Sequence, residues 1–336
     1  MHDEDQVVYG EVNRARYRGQ HLGHYESFFQ RANHPGRPLA FWIRYTLFSP
    51  ALRPEDATGE LWAVFFNGET KRHTAVKKEL HINECLFDTT RLYVRIGEAQ
   101  LTDTALKGYA RTGQDNIAWD LSYGRGSEPL LLLPAALYRT KLPAAKSLVG
   151  MPLARYSGML EVNGEAIDVS DWVGSQNHNW GSRHTDLYAW GQVAGFDTHP
   201  ESFLEVATAR LKVGSLWTPP MTPLVLRHQG QEFALNGLFR SVRATGRFGY
   251  FFWNFASENR DVAVQGTMVA PRETFVGLNY YNPPGGAKHC LNTKIAMCTL
   301  RLEDKATGTS EVLETKNRAA FEILTDDRNH GVPIAA

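Results

Sequence analysis

The chain has 336 residues, with 36 Lys plus Arg against 36 Asp plus Glu, so no global basic field favours nucleic acid or an anionic membrane and no acidic excess exists. That length supports a substantial core in one large or two ordinary domains, and two are expected. Three irregularly spaced cysteines, Cys85, Cys290 and Cys298, read as free thiols of a reducing compartment, the cytoplasm, and form no disulfide frame or zinc knuckle. The start, Met1-His2-Asp3-Glu4-Asp5, is acidic, and the longest apolar stretch, Leu130 to Leu137, is broken by Pro134. Neither a signal peptide nor a transmembrane helix is expected.

Along the chain, β-branched and aromatic runs bounded by Gly, Pro, Asn and Asp recur, while helical periodicity is scarce. Strands are predicted over Tyr25 to Ala32, Leu39 to Phe48, Gly59 to Phe66, Leu92 to Ala99, Ala118 to Tyr123 and Tyr156 to Val162. Further strands are predicted over Leu187 to Ala194, Phe203 to Val213, Tyr250 to Ala256, Val262 to Val269, Phe275 to Tyr281, Ile295 to Leu302 and Ala319 to Ile323. Alternation places Phe41, Ile43, Tyr45 and Leu47 on one face and Trp42, Arg44, Thr46 and Phe48 on the other, a mixed charged and aromatic face that suits a barrel lumen. Hairpin reversals are expected at Asn67-Gly68, Asn163-Gly164 and Asn236-Gly237. Lys71 to Leu80 is expected to form a short helix. Glu128 to Gly150 reads as a crossover whose Leu130 to Leu137 portion either lines an apolar mouth or packs as an ordinary loop. So many strands must hide their edges, and two closed barrels or sandwiches do this better than one open sheet. The junction is expected near residues 175 to 190.

Residues 174 to 192 concentrate chemistry: Gln176, Asn177, His178, Asn179, Trp180, His184, Asp186, Tyr188 and Trp190 fall in one glycine-punctuated stretch. The histidines can exchange a proton near neutral pH, the amides can orient a polar group, and the indoles offer flat apolar walls. A structural corner, with amides satisfying backbone and tryptophans filling a core, is the alternative. Phosphate-binding loops, dinucleotide fingerprints and a Gly-x-Ser-x-Gly elbow are absent from the sequence. His178 and His184 on an extended strand would stand about 20 Å apart, so no metal site is assigned. Glu26 and Glu205 project from apolar strands. Each is either a carboxyl with a raised pKa facing a cavity or half of an ion pair with an arginine such as Arg44 or Arg210.

The run Gln176-Asn177-His178-Asn179-Trp180-Gly181, followed by His184 and Tyr188-Ala189-Trp190, with Tyr156-Ser157-Gly158 and Val162-Asn163-Gly164 upstream, resembles the His-x-Trp-Gly region of the carotenoid 1,2-hydratase and AttH-like lipocalin superfamily. Tocopherol cyclase and some fungal Diels–Alderases look related to that group. Tyr25-Glu26-Ser27-Phe28 looks like its N-terminal Glu-aromatic strand. The resemblance implies an all-β fold of two packed calycin-like barrels and a cofactor-free site for a large apolar ligand. Asn177 stands where an acidic residue before the histidine would be.

Two domains follow as the expectation, 1–180 and 181–336, each a lipocalin-like antiparallel barrel. The expected function is a cofactor-independent enzyme that hydrates, cyclises or isomerises an isoprenoid-like alkene, using an acid in a dry cavity and aromatic faces to stabilise positive charge. His178 and Glu26 are the acid/base candidates and His184 a supporting donor. Trp180, Trp190, Tyr188 and Trp42 are the walls, and Asn177 and Asn179 the positioning groups. The alternative is a non-catalytic carrier of hydrophobic ligands. Neither cofactor nor metal is expected, nucleic acid is not a partner, and peripheral membrane contact and oligomeric state stay open.

Overall fold

The computed structural model describes residues 12–336, and the acidic Met1 to Asp5 stretch lies outside them. Its first sheet contains β1 (His24–Asn33), β2 (Leu39–Ser49), β3 (Thr58–Asn67), β4 (Thr74–His81), β5 (Cys85–Phe87), β6 (Tyr93–Ile96), β7 (Ala99–Thr102), β8 (Ala105–Thr112), β9 (Asp115–Gly124), β10 (Leu130–Leu131), β11 (Ala145–Val162) and β12 (Glu165–Gly181). They run antiparallel in the order β4-β3-β2-β1-β12-β11-β9-β8-β7-β6-β5, with β10 on β11. The sheet curls until β4 meets β8 and β9. There the Thr112 hydroxyl accepts the Lys77 N–H at 2.8 Å and donates to the Lys77 carbonyl at 3.2 Å, so a nearly closed barrel hides its edge.

The second sheet contains β13 (Leu187–Ala194), β14 (Phe203–Arg210), β17 (Leu224–His228), β18 (Gln231–Leu235), β19 (Thr245–Phe248), β20 (Phe252–Glu258), β21 (Val262–Val269), β22 (Val276–Tyr281), β23 (Ala287–Asp304) and β24 (Ser310–Thr325). Its order is β18-β17-β14-β13-β24-β23-β21-β20-β19, with β22 on β23. β15 (Lys212–Val213) and β16 (Leu216–Trp217) form a separate ribbon. Among the described residues one short α-helix, α1 (Leu238–Arg243), follows β18. The all-β architecture of two barrel-like sheets is the one expected.

Three local expectations fail. Lys71 to Leu80 is mostly strand β4, because Ala75 and Val76 are buried where β3 offers a free edge for pairing. Asn236-Gly237 does not close a hairpin but leads into α1, with Gly237 at its N-terminal boundary. Trp42 and Arg44 do not face a barrel lumen. That interior is filled by the opposite face, with Phe41, Ile43 and Tyr45 among Trp119, Tyr156 and Trp172, and Trp42 instead joins Phe29, Trp62, Trp190 and Tyr280 in a cluster drawn from both sheets. The second interior is built on Trp253, Phe255, Leu291 and Phe321. Asn163-Gly164 closes β11 onto β12 with φ of 52° and 85°, the left-handed pair that this sequence favours.

Candidate active site between the two sheets

Strand β12 carries the motif, and its pleat divides it. Residues directly opposite one another on antiparallel strands share a face, and β1 pairs Phe28 with His178 and Glu26 with Trp180. Thus Gln176, His178 and Trp180 share the face of Phe28, which is core of the first barrel. Ser175, Asn177 and Asn179 share the other face with Ser27 and Phe29 and look toward the second sheet.

His178 and Glu26 do meet. The ring Nε2 lies 2.8 Å from Glu26 Oε1, and both side chains are fully buried. The carboxylate also accepts the backbone N–H groups of Arg16 and Tyr17 and lies 3.1 Å from His24 Nε2. Burial alone would raise the Glu26 pKa, but the hydrogen bonds and charge of His178 and His24 hold it down to about 2. Burial pushes His178 toward its neutral form. Both of its nitrogens nevertheless face acceptors, the Val12 carbonyl and the Glu26 carboxylate, and only the doubly protonated ring satisfies both. We therefore read an imidazolium–carboxylate pair that clamps residues 12–17 to the barrel, stacked on Phe28 and beside Trp180. Of the two readings for Glu26, its ion-pair partner is a histidine and not Arg44.

The other face opens on a cavity of about 520 Å³ between the sheets. It is lined by five of the residues singled out in the sequence, Trp42, Asn179, His184, Tyr188 and Trp190, and by Tyr25, Arg44, Lys146, Tyr280 and Glu322 among others. Glu26, His178, Asn177 and Trp180 are not among the lining residues. Leu132, Leu133, Pro134, Leu137 and Leu142 form an apolar wall, so the segment read as a crossover does line a mouth.

His184 lies in the short link between β12 and β13. Its N–H is held by Asn282 Oδ1 at 3.0 Å, and its ring stacks on Tyr25 with centroids 4.0 Å apart. Burial, with Arg44 and Lys288 adding to it, pushes its pKa down to about 3, so the imidazole is neutral at pH 7. Arg44 is 4% exposed and donates from Nε and Nη2 to Ser27 Oγ, while its guanidinium carbon lies 4.3 Å from the Tyr280 ring centroid. Burial opposes its charge, and the pull of Tyr280, Glu60 and Glu322 more than offsets this. Among the described residues no carboxylate forms an ion pair with it. Tyr25, Tyr188 and Tyr280 have pKa values raised by burial and stay protonated. Glu322 accepts from Lys294 Nζ at 2.6 Å.

Asn177 serves a polar web behind the cavity. Gln192 Nε2 donates to Asn177 Oδ1 and to Glu205 Oε2, both at 2.8 Å, and Gln192 Oε1 accepts from Ser175 Oγ at 2.6 Å and Arg31 Nη1 at 3.0 Å. Trp190 Nε1 donates to Glu205 Oε1 at 2.8 Å. Burial pushes Glu205 up to about 7 against those hydrogen bonds, and its partners are Trp190 and Gln192 where an arginine such as Arg210 was the alternative.

Arg44 was visible in the sequence as a charge on an aromatic strand face. Tyr280 and Glu322 gave no such signal, since β22 and β24 reach the cavity from far along the chain, more than two hundred residues beyond Arg44.

No family model and no curated protein matches the sequence. Solved structures do share its fold. A protein assigned as AttH from Nitrosomonas europaea superposes with a TM-score of 0.56 at 12% identity, covering 90% of this chain and 92% of that one. Kievitone hydratase from Nectria haematococca gives 0.56 at 11% identity, covering 94% and 98%. CghA, in complex with Sch210972, gives 0.56 at 10% identity, covering 90% and 89%. The chain therefore shares the all-β fold of these three proteins over nine-tenths of its length.

Proposed function

We propose that the chain is a cofactor-independent enzyme that acts on an apolar, isoprenoid-like, alkene-bearing substrate in the cavity between its barrels, by hydration, cyclisation or isomerisation. The observation that carries this is the Arg44 guanidinium, buried at an aromatic cavity and, among the described residues, in no ion pair with a carboxylate. Burial opposes such a charge, and here the pull of Tyr280, Glu60 and Glu322 sustains it, an arrangement of which a carrier of purely apolar ligands would have no need. A permanent cation there suits a substrate oxygen that gains negative charge in the transition state. Protonated Tyr25 and Tyr280 are donors for the same oxygen, and neutral His184 is suited to donate or relay a proton and not to hold a charge. Trp42, Trp190 and Tyr188 provide flat apolar walls for the hydrocarbon part of such a substrate. Asn179 is the amide on the same face that can position a polar group. In this reading His178 and Glu26 are not the acid/base pair. They fix the strand from which Asn179 projects.

The fold shared with a hydratase, at 11% identity, supports the architecture of such a site and leaves its chemistry to experiment. The leucine-rich wall at residues 132–142 favours the second reading, a carrier. Native mass spectrometry of the purified protein identifies a co-purifying ligand, and incubation of that ligand with fresh protein in ¹⁸O-labelled water separates the readings. Hydration adds labelled oxygen, cyclisation or isomerisation changes retention at constant mass, and unchanged ligand establishes a carrier. Arg44→Met is expected to retain ligand yet lose turnover by about 100-fold, the scale set by removal of one charge-stabilising donor.

A further inference from the structure

The mouth of the cavity is bordered by three segments that each contribute lining residues. These are the stretch around Pro134 to Ser147, the end of β14 with the ribbon beyond it (Ala209, Leu211, Met221), and the start of α1 (Asn236, Leu238, Ser241). Each also sends large apolar side chains into water. Leu142 is 72% exposed, Leu216 74% and Phe239 84%, and Val213, Trp217, Leu238 and Val242 are exposed with them. Scattered exposed leucines need no explanation, but a group around one opening does.

Charge is distributed just as unevenly. Residues 129–160, 206–231 and 233–257 contain no Asp or Glu, in a chain where acidic and basic residues balance at 36 each. Those same stretches hold Lys141, Arg210, Lys212, Arg240, Arg243 and Arg247. Arg210 and Lys212 lie 5.3 and 6.0 Å from the Trp217 ring centroid, so indole and cations share one edge of the ribbon. Protruding apolar tips on segments that carry several cations, with Asp186 beside Lys212 and Arg183 an acid among them, match the boundary of an anionic bilayer, where tips enter the acyl region and cations stay at the phosphates. A protein partner with an acidic rim would satisfy the cations but not explain why the apolar tips encircle an opening into an apolar cavity.

We propose that the rim of this cavity docks on the surface of an anionic lipid bilayer, with Phe239, Leu216 and Leu142 entering the acyl boundary and the surrounding lysines and arginines contacting lipid phosphates. The cavity then opens into the membrane, and a lipophilic ligand passes between the two without crossing water. That consequence rests on the function proposed above, whereas the docking itself does not.

Co-sedimentation of the full chain with vesicles of phosphatidylcholine alone, or of phosphatidylcholine with phosphatidylserine, tests the docking and reads no turnover. Binding to the anionic vesicles is expected, falling as salt is raised, with far less binding to the neutral ones. Arg240→Glu with Arg243→Glu is expected to weaken partitioning by about tenfold or more, since each basic residue near the surface contributes several-fold. Phe239→Ser with Leu216→Ser removes apolar tips already in water, so the thermal midpoint is expected to hold while sedimentation falls. Leu52→Ser, equally exposed but away from the mouth, is expected to bind as wild type. Equal sedimentation with both vesicle types, no sedimentation, or rim variants that bind like wild type would overturn the proposal. So would concentration-dependent self-association abolished by Phe239→Ser without vesicle binding, which would make the rim a contact between copies of this chain.

Discussion

Two buried glutamates in this molecule titrate in opposite directions, for reasons visible at the residue. Against the effect of burial, Glu26 is held by the hydrogen bonds and charge of His178 and His24, so its folded pKa of about 2 lies below the ordinary 4.5. A depressed carboxyl contributes stability that is present above about pH 4.5 and is lost as pH falls toward 2, on the order of 3 kcal/mol at about 1.4 kcal/mol per pH unit. Denaturant unfolding followed from pH 6 to pH 2 is expected to show that loss in the wild type and a flatter acid limb in Glu26→Gln. Glu205 is the reverse, because its donors are neutral and burial dominates. Its folded pKa of about 7 lies above the ordinary value, so ionisation works against the folded state as pH rises from about 4.5 through 7. Trp190 Nε1 donates to this carboxyl, so its fluorescence is expected to change with a midpoint near pH 7. With eight tryptophans in the chain, the difference between wild type and Glu205→Gln isolates that signal, and superimposable titrations would contradict the assignment.

At the level of the strand, β1 and β12 approach so closely that Gly174 has no room for a side chain, since an added Cβ would collide with the Arg31 carbonyl oxygen and the Ala32 Cα. Both obstacles are backbone within a buried ladder, so Gly174→Ala is expected to destabilise by about 3 kcal/mol, the upper end for overpacking. Gly36→Ala, in open space, is expected to stay within about 0.5 kcal/mol. Thermal midpoints of the two variants check both. The pleat of these strands also marks how far the sequence could be read. Strands β13 and β21 were legible end to end, because alternation and turn residues bound them within one short run. β12 was not. Its Gln176 to Asn179 run lacks the apolar alternation that signals a strand, since one face carries a buried ion pair and the other a polar web, each satisfied only by distant partners. Reading that run as one site therefore joined His178 and Asn177, which point to opposite sides of a sheet. Asn177 offers no carboxylate to the histidine, and the one beside it is Glu26, which arrives from β1 across the ladder.

The whole molecule is held together across its two sheets by apolar surface and by hydrogen bonds. Phe29, Trp42 and Trp62 from the first sheet meet Trp190, Tyr280 and Ile295 from the second. Beside them, Arg31 donates to Gln192 and the Arg318 carbonyl, and Asn33 donates to the carbonyls of Lys294 and Asn317. Separating the sheets would strand Arg31, wholly buried, away from its partners across the interface, along with these aromatics. Calorimetry is thus expected to show a single cooperative transition. Two resolved transitions, or a stable monomeric fragment of residues 12–181, would show that the interface contributes less than its composition implies.

The saturated imidazole of His178 has a consequence for chemical labelling. Reagents that acylate imidazole, such as diethyl pyrocarbonate, are attacked by a nitrogen lone pair, and His178 has none to offer while Val12 and Glu26 occupy both sides of its ring. It becomes reactive only when the segment bearing Val12 lifts away and the ring gives up a proton. Its acylation rate, followed by mass spectrometry against that of the exposed His21, therefore clocks the opening of the N-terminal clamp.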